Sequence, residues 1–341
     1  MRRLLIAFTA LLVLLAGAYS AYWFIMADRL RDGIAGWAAA ESRRGTEVNW
    51  ASFTLDGFPF AFRASFEAPS IRADGAATPL AWRGGHLVLE ALPWDLRTIR
   101  FKAMEPQTLD IGLVTDRTRI EAASSDGVIG LDSRYQAASL EARFATLRAS
   151  GAGGAALATA KGVDLSLSRP ETPPTSIDAP ALSFGLGVEA LEPNLPMALP
   201  VTGPVQIDLA GAVMGAVPEQ GGEAGLAAWS EAGGTLEISR LLLDWRPVRI
   251  EGDGTLALDK ELQPIGAFST EIEGHDKLLD GMATLGWLRP EDASLGQLAL
   301  SLLVREGRNG RPVVKAPLSL QDRAIYLGPL RLARMPHIVW R

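Results

Sequence analysis

Glu271 and Glu273 stand two residues apart in a segment whose apolar residues alternate with period two. On a strand that spacing puts both carboxylates on one face at roughly 7 Å. A carboxyl pair at about 5 to 9 Å can hydrolyse a glycoside. The same periodicity argues against that use, because Phe268, Thr270 and Ile272 take the opposite, core-like face and leave the acidic pair as solvated exterior. Imidazole comes only from His86, His275 and His337, which are far apart in sequence. Such spacing is compatible with a three-histidine zinc site. His275-Asp276 with Asp280 is better explained as the polar start of a helix, where acidic groups meet the positive end of the peptide dipole. The chain has no cysteine, so thiolate nucleophiles, disulfides and cysteine metal sites are excluded. There is no Gly-x-Ser-x-Gly elbow, His-Glu-x-x-His helix, Walker loop or glycine-rich dinucleotide fingerprint. The expectation is a protein that is not an enzyme and carries no cofactor or metal.

A second kind of chemistry is burial. Phe58, Phe60, Phe62 and Phe66 form an aromatic stripe, with Arg63 and Ser65 on the other face of the same run. The stripe reads either as core between sheet and helix, at roughly 1.5 to 3 kcal/mol per buried side chain, or as the wall of a groove for acyl chains, at about 0.8 kcal/mol per methylene. The same two readings apply to Leu87, Leu89, Leu236, Ile238, Leu256 and Leu258. These ten residues are the candidate groove.

What must position them begins at the N-terminus. Leu4 to Met26 is an uncharged run directly after Arg2 and Arg3. As a helix it is roughly 35 Å long, enough to span a hydrocarbon core with some tilt. Arginines before the run and none within it favour a cytoplasmic N-terminus and an exported remainder, with Tyr19, Tyr22 and Trp23 at the far interface. The alternative is a cleavable signal peptide with Ala16-Gly17-Ala18 as its cleavage site. Against it, the apolar run continues through Trp23, Phe24, Ile25 and Met26. From 28 to 45, Leu30, Ile34 and Trp37 recur at helical spacing, which predicts an amphipathic helix continuing the anchor, with Trp37 packed on the next element and Gly45 as the stop. Arg29, Arg31, Arg43 and Arg44 around it can touch anionic headgroups or simply pair with Asp32 and Glu41.

Beyond Gly45 the period changes from 3.6 to 2. Alternation recurs at Leu87 and Leu89; at Leu140, Ala142 and Phe144; at Val163, Leu165 and Leu167; and at Val205, Ile207 and Leu209. It returns at Leu236 and Ile238, at Leu256 and Leu258, and at Leu318 and Leu320. Asp56-Gly57, Asp126-Gly127, Thr202-Gly203-Pro204 and Asp253-Gly254 read as punctuation. Strands joined by short turns without intervening helices imply a mainly antiparallel sheet. Gly151 to Ala160 reads as a small-residue loop or weak strand edge, and the proline-rich 169–180 connector as a second place where two β regions can join. Leu226 to Trp229 suggests one or two peripheral helical turns. A helical hairpin is expected from 275 to 305, turning near Trp287 to Pro290, with strand character again from Val313 to Leu332.

The order of several segments resembles the domain of unknown function 2125 family, exported proteins of alphaproteobacteria. They are Val48-Asn49-Trp50, Asp56-Gly57-Phe58-Pro59-Phe60, Ala91-Leu92-Pro93-Trp94, Gly233-Gly234-Thr235-Leu236, Glu251 to Asp259, Ala316 to Leu320 and Tyr326 to Leu330. The hairpin of Gly254-Thr255-Leu256-Ala257-Leu258-Asp259 with its return strand Gly266 to Glu273 is also similar to the β-hairpin unit of AsmA-like envelope proteins. That similarity implies a membrane-anchored, groove-forming β fold in the periplasm, linked to envelope integrity and phospholipid traffic.

Many half-apolar strands and few helices lead to one expectation. The fold is mainly β: a large curved antiparallel sheet, half-pipe or groove-like, with a few capping helices behind an N-terminal transmembrane helix. The expected organisation is an anchor at 1–27, an amphipathic helix at 28–45 and a periplasmic β-rich domain at 46–341. The expected partners are the inner membrane, a phospholipid or other amphipathic ligand, and envelope proteins. A net charge of −6 gives no reason to expect nucleic acid. The alternatives are a structural module with a self-filled β core and, last, a hydrolase of envelope glycans or lipids.

Overall fold

The computed structural model describes residues 1–73, 78–112, 117–194, 201, 203–218, 220–307, 310–328 and 330–340. The chain is mainly β. It divides into two compact units, Met1–Ala137 and Ala138–Arg341. Among the described residues every strand pairing is antiparallel, the sheet is not closed, and four α-helices are present.

The first unit opens with one continuous helix, α1 (Arg2–Arg43), which fuses the apolar run and the amphipathic segment. It ends where Gly45 takes φ +89°, a conformation that costs glycine little. Along α1 the residues Trp23, Met26, Ala27, Leu30 and Ile34 form a stripe at helical spacing. This stripe packs on Leu55, Phe62, Ala64 and Phe66. Trp37 does not join it and is 51% exposed. The stripe advances by four, from Leu30 through Ile34 to Ala38, so half-buried Ala38 takes the inward place and Trp37 is turned roughly 100° away.

The next strands are β1 (Thr46–Asn49), β2 (Ser52–Asp56), β3 (Phe62–Glu67), β4 (Ser70–Ala73) and β5 (Leu80–Arg83), then β6 (His86–Leu92), β7 (Asp95–Ala103), β8 (Gln107–Ile111), β9 (Thr118–Ala122) and β10 (Ser125–Leu131). They form two ladders, β2-β3-β6-β7-β10 and β1-β4-β5-β8-β9. The first carries the face that receives α1: on β3, Phe62, Ala64 and Phe66 are buried while Arg63 and Glu67 point outward. Asp126-Gly127 is not a turn but lies within β10, opposite Lys102 and Phe101 of β7.

The second ladder holds a buried charge. Asp110 on β8 is 5% exposed and accepts from Arg119 on β9 at 2.7 Å and from Arg83 on β5 at 2.8 Å. Hydrogen bonding to Arg119, outweighing the cost of burial, holds the Asp110 carboxyl below its ordinary 3.8. A group with a depressed folded value contributes stability above its unfolded value and loses it as pH falls through the folded one. Asp110→Asn is therefore expected to lower stability by about 1–3 kcal/mol at pH 7. Urea midpoints of variant and wild type should converge as the pH drops below about 3.8; a gap unchanged by acid would remove the ion pair as the cause.

The second unit continues with β11 (Ala137–Ser150), β12 (Ala156–Ser168), β13 (Pro180–Pro193) and β14 (Val205–Met214). After them come α2 (Gly222–Glu231), β15 (Thr235–Trp245), β16 (Val248–Leu258) and β17 (Pro264–Glu273). The chain ends with α3 (His275–Thr284), α4 (Pro290–Ser301), β18 (Val304–Glu306), β19 (Pro312–Gln321), β20 (Ala324–Leu327) and β21 (Leu330–Arg334). Strands β11 to β17 pair in chain order, and β17 then pairs with β19. Gly151 to Ala160 supplies a tight turn and then the start of β12, a strand paired on both sides rather than an edge. The proline-rich 169–180 connector lies inside this unit, where β12 and β13 on its two sides pair directly; the division between units falls at Ala137/Ala138. Thr202 and Pro329, in the Thr202-Gly203-Pro204 turn and the Tyr326 to Leu330 motif, lie outside the described residues.

Helices α3 and α4 form the expected hairpin, with Pro290 in the first turn of α4 and Gln297 donating to Asp280 at 2.7 Å to tie the two together. With Leu279, Met282 and Leu300 they cover Ile272, Val314, Ala316 and Leu327, making the buried core of this unit, against which the partly buried Ile250 and Leu318 pack. Helix α2 is anchored by Trp229, which is 9% exposed and donates to the Met214 carbonyl at 2.9 Å.

Asp253-Gly254, expected as a turn, sits within β16, opposite Ser269 and Phe268. Gly254 is there for space: a Cβ would fall 2.3 Å from the Ala267 carbonyl oxygen and 2.6 Å from the Phe268 ring. Gly254→Ala is expected to cost about 1–3 kcal/mol through overpacking. Gly187→Ala, whose Cβ would meet Asp164 at 3.8 Å, is the control and should be neutral or slightly stabilising. Urea midpoints in detergent would compare them.

Candidate functional site

Three transverse rows of side chains cross the second unit. The first runs Leu140, Leu167, Phe184, Gly211, Ile238, Gly254, Phe268, Leu318 and Leu327 from β11 to β20. The second runs Ala142, Leu165, Leu186, Leu209, Leu241, Gly252, Thr270 and Ala316. The third runs Phe144, Val163, Val188, Ile207, Leu243, Ile250, Ile272 and Val314. Successive members on each strand are two residues apart, and the irregularity in β15 between Ile238 and Leu241 restores the phase, so all three rows share one face.

Glycine shapes this face. Phe184 lies so close to Gly211 that a Cβ there would sit 2.8 Å from the ring, just as Phe268 fills the space over Gly254. From β16 onward the rows disappear beneath α3 and α4. From β11 to β15 the rows stand outside that core: Ala142, Val163, Val188 and Ile238 are buried, while Leu140, Phe144, Leu165, Leu167, Phe184, Leu186, Ile207, Leu209, Leu241 and Leu243 are only half-buried.

The opposite face is charged. Arg143, Asp164, Gly187, Asp208, Leu242, Glu251, Glu271 and Lys315 succeed one another across it. Arg143 pairs with Asp164 at 3.0 Å, Arg240 with Asp208 at 3.2 Å and Lys315 with Glu271 at 2.6 Å. A shallow depression of about 780 Å³ on this face is lined by Asp208, Arg240, Glu251, Glu271 and Lys315 among others. Glu273 is held by Arg246 at 3.2 Å and Arg311 at 3.3 Å. The two carboxylates are thus engaged by different cations, Glu271 by Lys315 and Glu273 by Arg246 and Arg311.

The ten candidate residues fall into different surroundings. In the first unit Phe62 and Phe66 are buried in one cluster with Trp23 and Ala27 of α1, and the half-buried Leu87 and Leu89 pack against that cluster, so this part of the stripe is core. Phe58 and Phe60 sit in the loop before β3, 46% and 72% exposed. In the second unit Ile238 belongs to the first apolar row, and Leu236 pairs with Leu256 one register further along the same face. Leu258 lines a separate hollow of about 810 Å³ together with α2 residues and Trp340. The terminal segment there is pinned by the Gln263 side chain, which donates to the Ile338 carbonyl and accepts its N–H.

The residues that complete the half-buried face, Leu140, Phe144, Leu165, Leu167, Ile207 and Leu209, carry a plain alternation in sequence. Phe184 and Leu186 were hidden because the intervening Ser183, Gly185 and Gly187 look like loop composition. Among the described residues no group of three histidine, aspartate or glutamate side chains gathers as a metal site. His86 pairs with Glu67 at 2.6 Å. Near the anchor, Arg31 pairs with Asp28 at 2.7 Å rather than Asp32, and Arg44 with Glu41 at 2.8 Å.

A family model described as "Uncharacterized protein conserved in bacteria (DUF2125)" matches residues 23–336. Neither the curated proteins nor the solved structures offer a match.

Proposed function

The chain belongs to that DUF2125 family, and from there we propose a non-enzymatic, inner-membrane-anchored protein whose bulk lies in the periplasm and whose apolar sheet face receives a lipid or another amphipathic ligand. The single observation that supports this reading is the set of half-buried leucines and phenylalanines on the apolar face of β11 to β15, backed by a charged face and left outside the helix-covered core. Acyl chains leaving water for such a surface gain about 0.8 kcal/mol per methylene, with no bond broken. One apolar N-terminal helix, long enough to span a bilayer, fits a single-pass anchor that keeps the sheet beside its source of lipid. The resemblance of the Gly254 to Asp259 hairpin to AsmA-like proteins points the same way, toward envelope maintenance.

The test is photocrosslinking in cells, with a photoreactive phenylalanine at Phe184 or Leu209 and, on the charged face, at Arg143. Lipid adducts at the first two sites and none at the third are expected. Protein adducts without lipid at the apolar sites would instead favour an envelope-assembly module, the reading that the α1-filled aromatic core of the first unit supports. A glycan or lipid hydrolase is disfavoured by the separately paired Glu271 and Glu273.

A further inference from the structure

Two loops of the first unit hold α1 at one level. The Tyr19 hydroxyl donates to the Pro59 carbonyl, the Tyr22 hydroxyl to the Pro93 carbonyl at 2.9 Å, and the Trp23 indole to the Ala61 carbonyl at 3.1 Å. Both loops lie at the same end of their sheet. Phe62 pairs with Ala91 and Ala91 with Ile99, so the segments before β3 and between β6 and β7 emerge together. Each projects a large apolar ring that the fold does not use: Phe60 is 72% exposed and Trp94 68%. Phe58 stacks on Phe24 at 5.5 Å and extends the same surface along the helix.

The free part of α1 is too short to span alone. Leu4 to Ala18 precedes the first tethered residue and measures roughly 22 Å, whereas a hydrocarbon core is about 30 Å thick. Arg2 and Arg3 resist being drawn inward, so the shortfall of roughly 8 Å has to be met at the other end, at Tyr19 and Tyr22. That is the depth at which amphipathic elements rest in a membrane interface, roughly 5–10 Å. The first charge beyond the tether is Asp28, paired with Arg31, about 9 Å further along the helix from Tyr22.

We infer that the Phe58–Ala61 and Pro93–Trp94 loops are seated in the outer leaflet of the bilayer that α1 spans, with Phe60 and Trp94 inserted among the lipids. The inference rests on the anchor reading and adds a second membrane contact to it. The folded unit then does not swing on a tether: helix and loops fix its tilt against the membrane. Asp56 and Asp95, next to the two loops, set the limit of insertion at the headgroups.

Because the chain lacks cysteine, single-cysteine variants of the full-length protein report depth directly. Phe60→Cys, Trp94→Cys, Leu11→Cys and Met104→Cys would each carry an environment-sensitive fluorophore in phosphatidylcholine–phosphatidylglycerol vesicles. Met104 comes just after the far end of β7, nine residues long, and so lies roughly 30 Å from Trp94. Brominated acyl chains are expected to quench the probes at 60, 94 and 11 at least twofold and to leave 104 unchanged. Quenching at 11 with 60 and 94 no different from 104 would overturn the seated loops while keeping the anchor. Failure of the Leu11→Cys variant to take up the fluorophore, with an intact mass beginning at Tyr19, would overturn the anchor and the inference with it.

Discussion

Trp23→Ala is expected to destabilise the protein by about 3–5 kcal/mol, the cost of emptying a large buried aromatic site. Trp23 is 3% exposed, stacks on Phe62 at 5.1 Å, meets Phe58 edge-on at 5.5 Å and donates to the Ala61 carbonyl. Truncation therefore leaves a cavity and also an unpaired carbonyl in a buried place. Ala27, one turn on and fully buried, shows how closely the helix approaches the sheet, so the backbone has little room to collapse into the void. Trp37→Ala is the internal comparison: at 51% exposure it should change stability by no more than about 0.5 kcal/mol. Thermal midpoints in one detergent would compare the two. If they match, α1 does not serve as the lid of the first unit, and Phe62 and Phe66 return to being groove candidates.

The elements were legible where period and punctuation agreed. The apolar run and its amphipathic continuation predict one long helix, and α1 is that helix. Leu140 to Phe144, Val163 to Leu167 and Val205 to Leu209 predict strands, and each lies in one. The reading of glycine as a stop held at Gly45 and Gly57 and failed at two other positions. Gly254 and Gly127 lie inside strands, and Gly254 does so because the partner aromatic needs its missing side chain, a tertiary demand that has no local signature. The candidate residues divide between two surroundings for a related reason. Phe62 and Phe184 have the same alternating neighbourhood, yet one is capped by Trp23 and the other is left half-buried. Which apolar face a helix covers depends on where that helix docks, and the stripe of α1 names its own face but not its target. Trp37 shows the finer limit, since a stripe that steps by three or by four selects a different residue with each choice.

Covering and binding can be separated in the second unit by comparing two faces of similar chemistry. Leu279 on α3 is fully buried against Ile272, Leu300 and Leu327, so Leu279→Ala is expected to cost about 2–5 kcal/mol while leaving lipid adducts at Phe184 in place. The double variant Leu186→Asp with Leu209→Asp should do the reverse. These two leucines are cross-strand partners on β13 and β14 and are only half-buried, so their carboxylates keep access to water and the loss of stability should be smaller than that of Leu279→Ala. An acyl chain laid across them would lose contact with about four methylenes, or roughly 3 kcal/mol, which is a fall in lipid occupancy of more than tenfold. The readouts are the unfolding midpoint and the lipid recovered with the purified protein by mass spectrometry. If the aspartates unfold the protein as Leu279→Ala does, the β11 to β15 face is core and the self-filled module is the better reading. If they leave both stability and lipid unchanged, the ligand sits elsewhere.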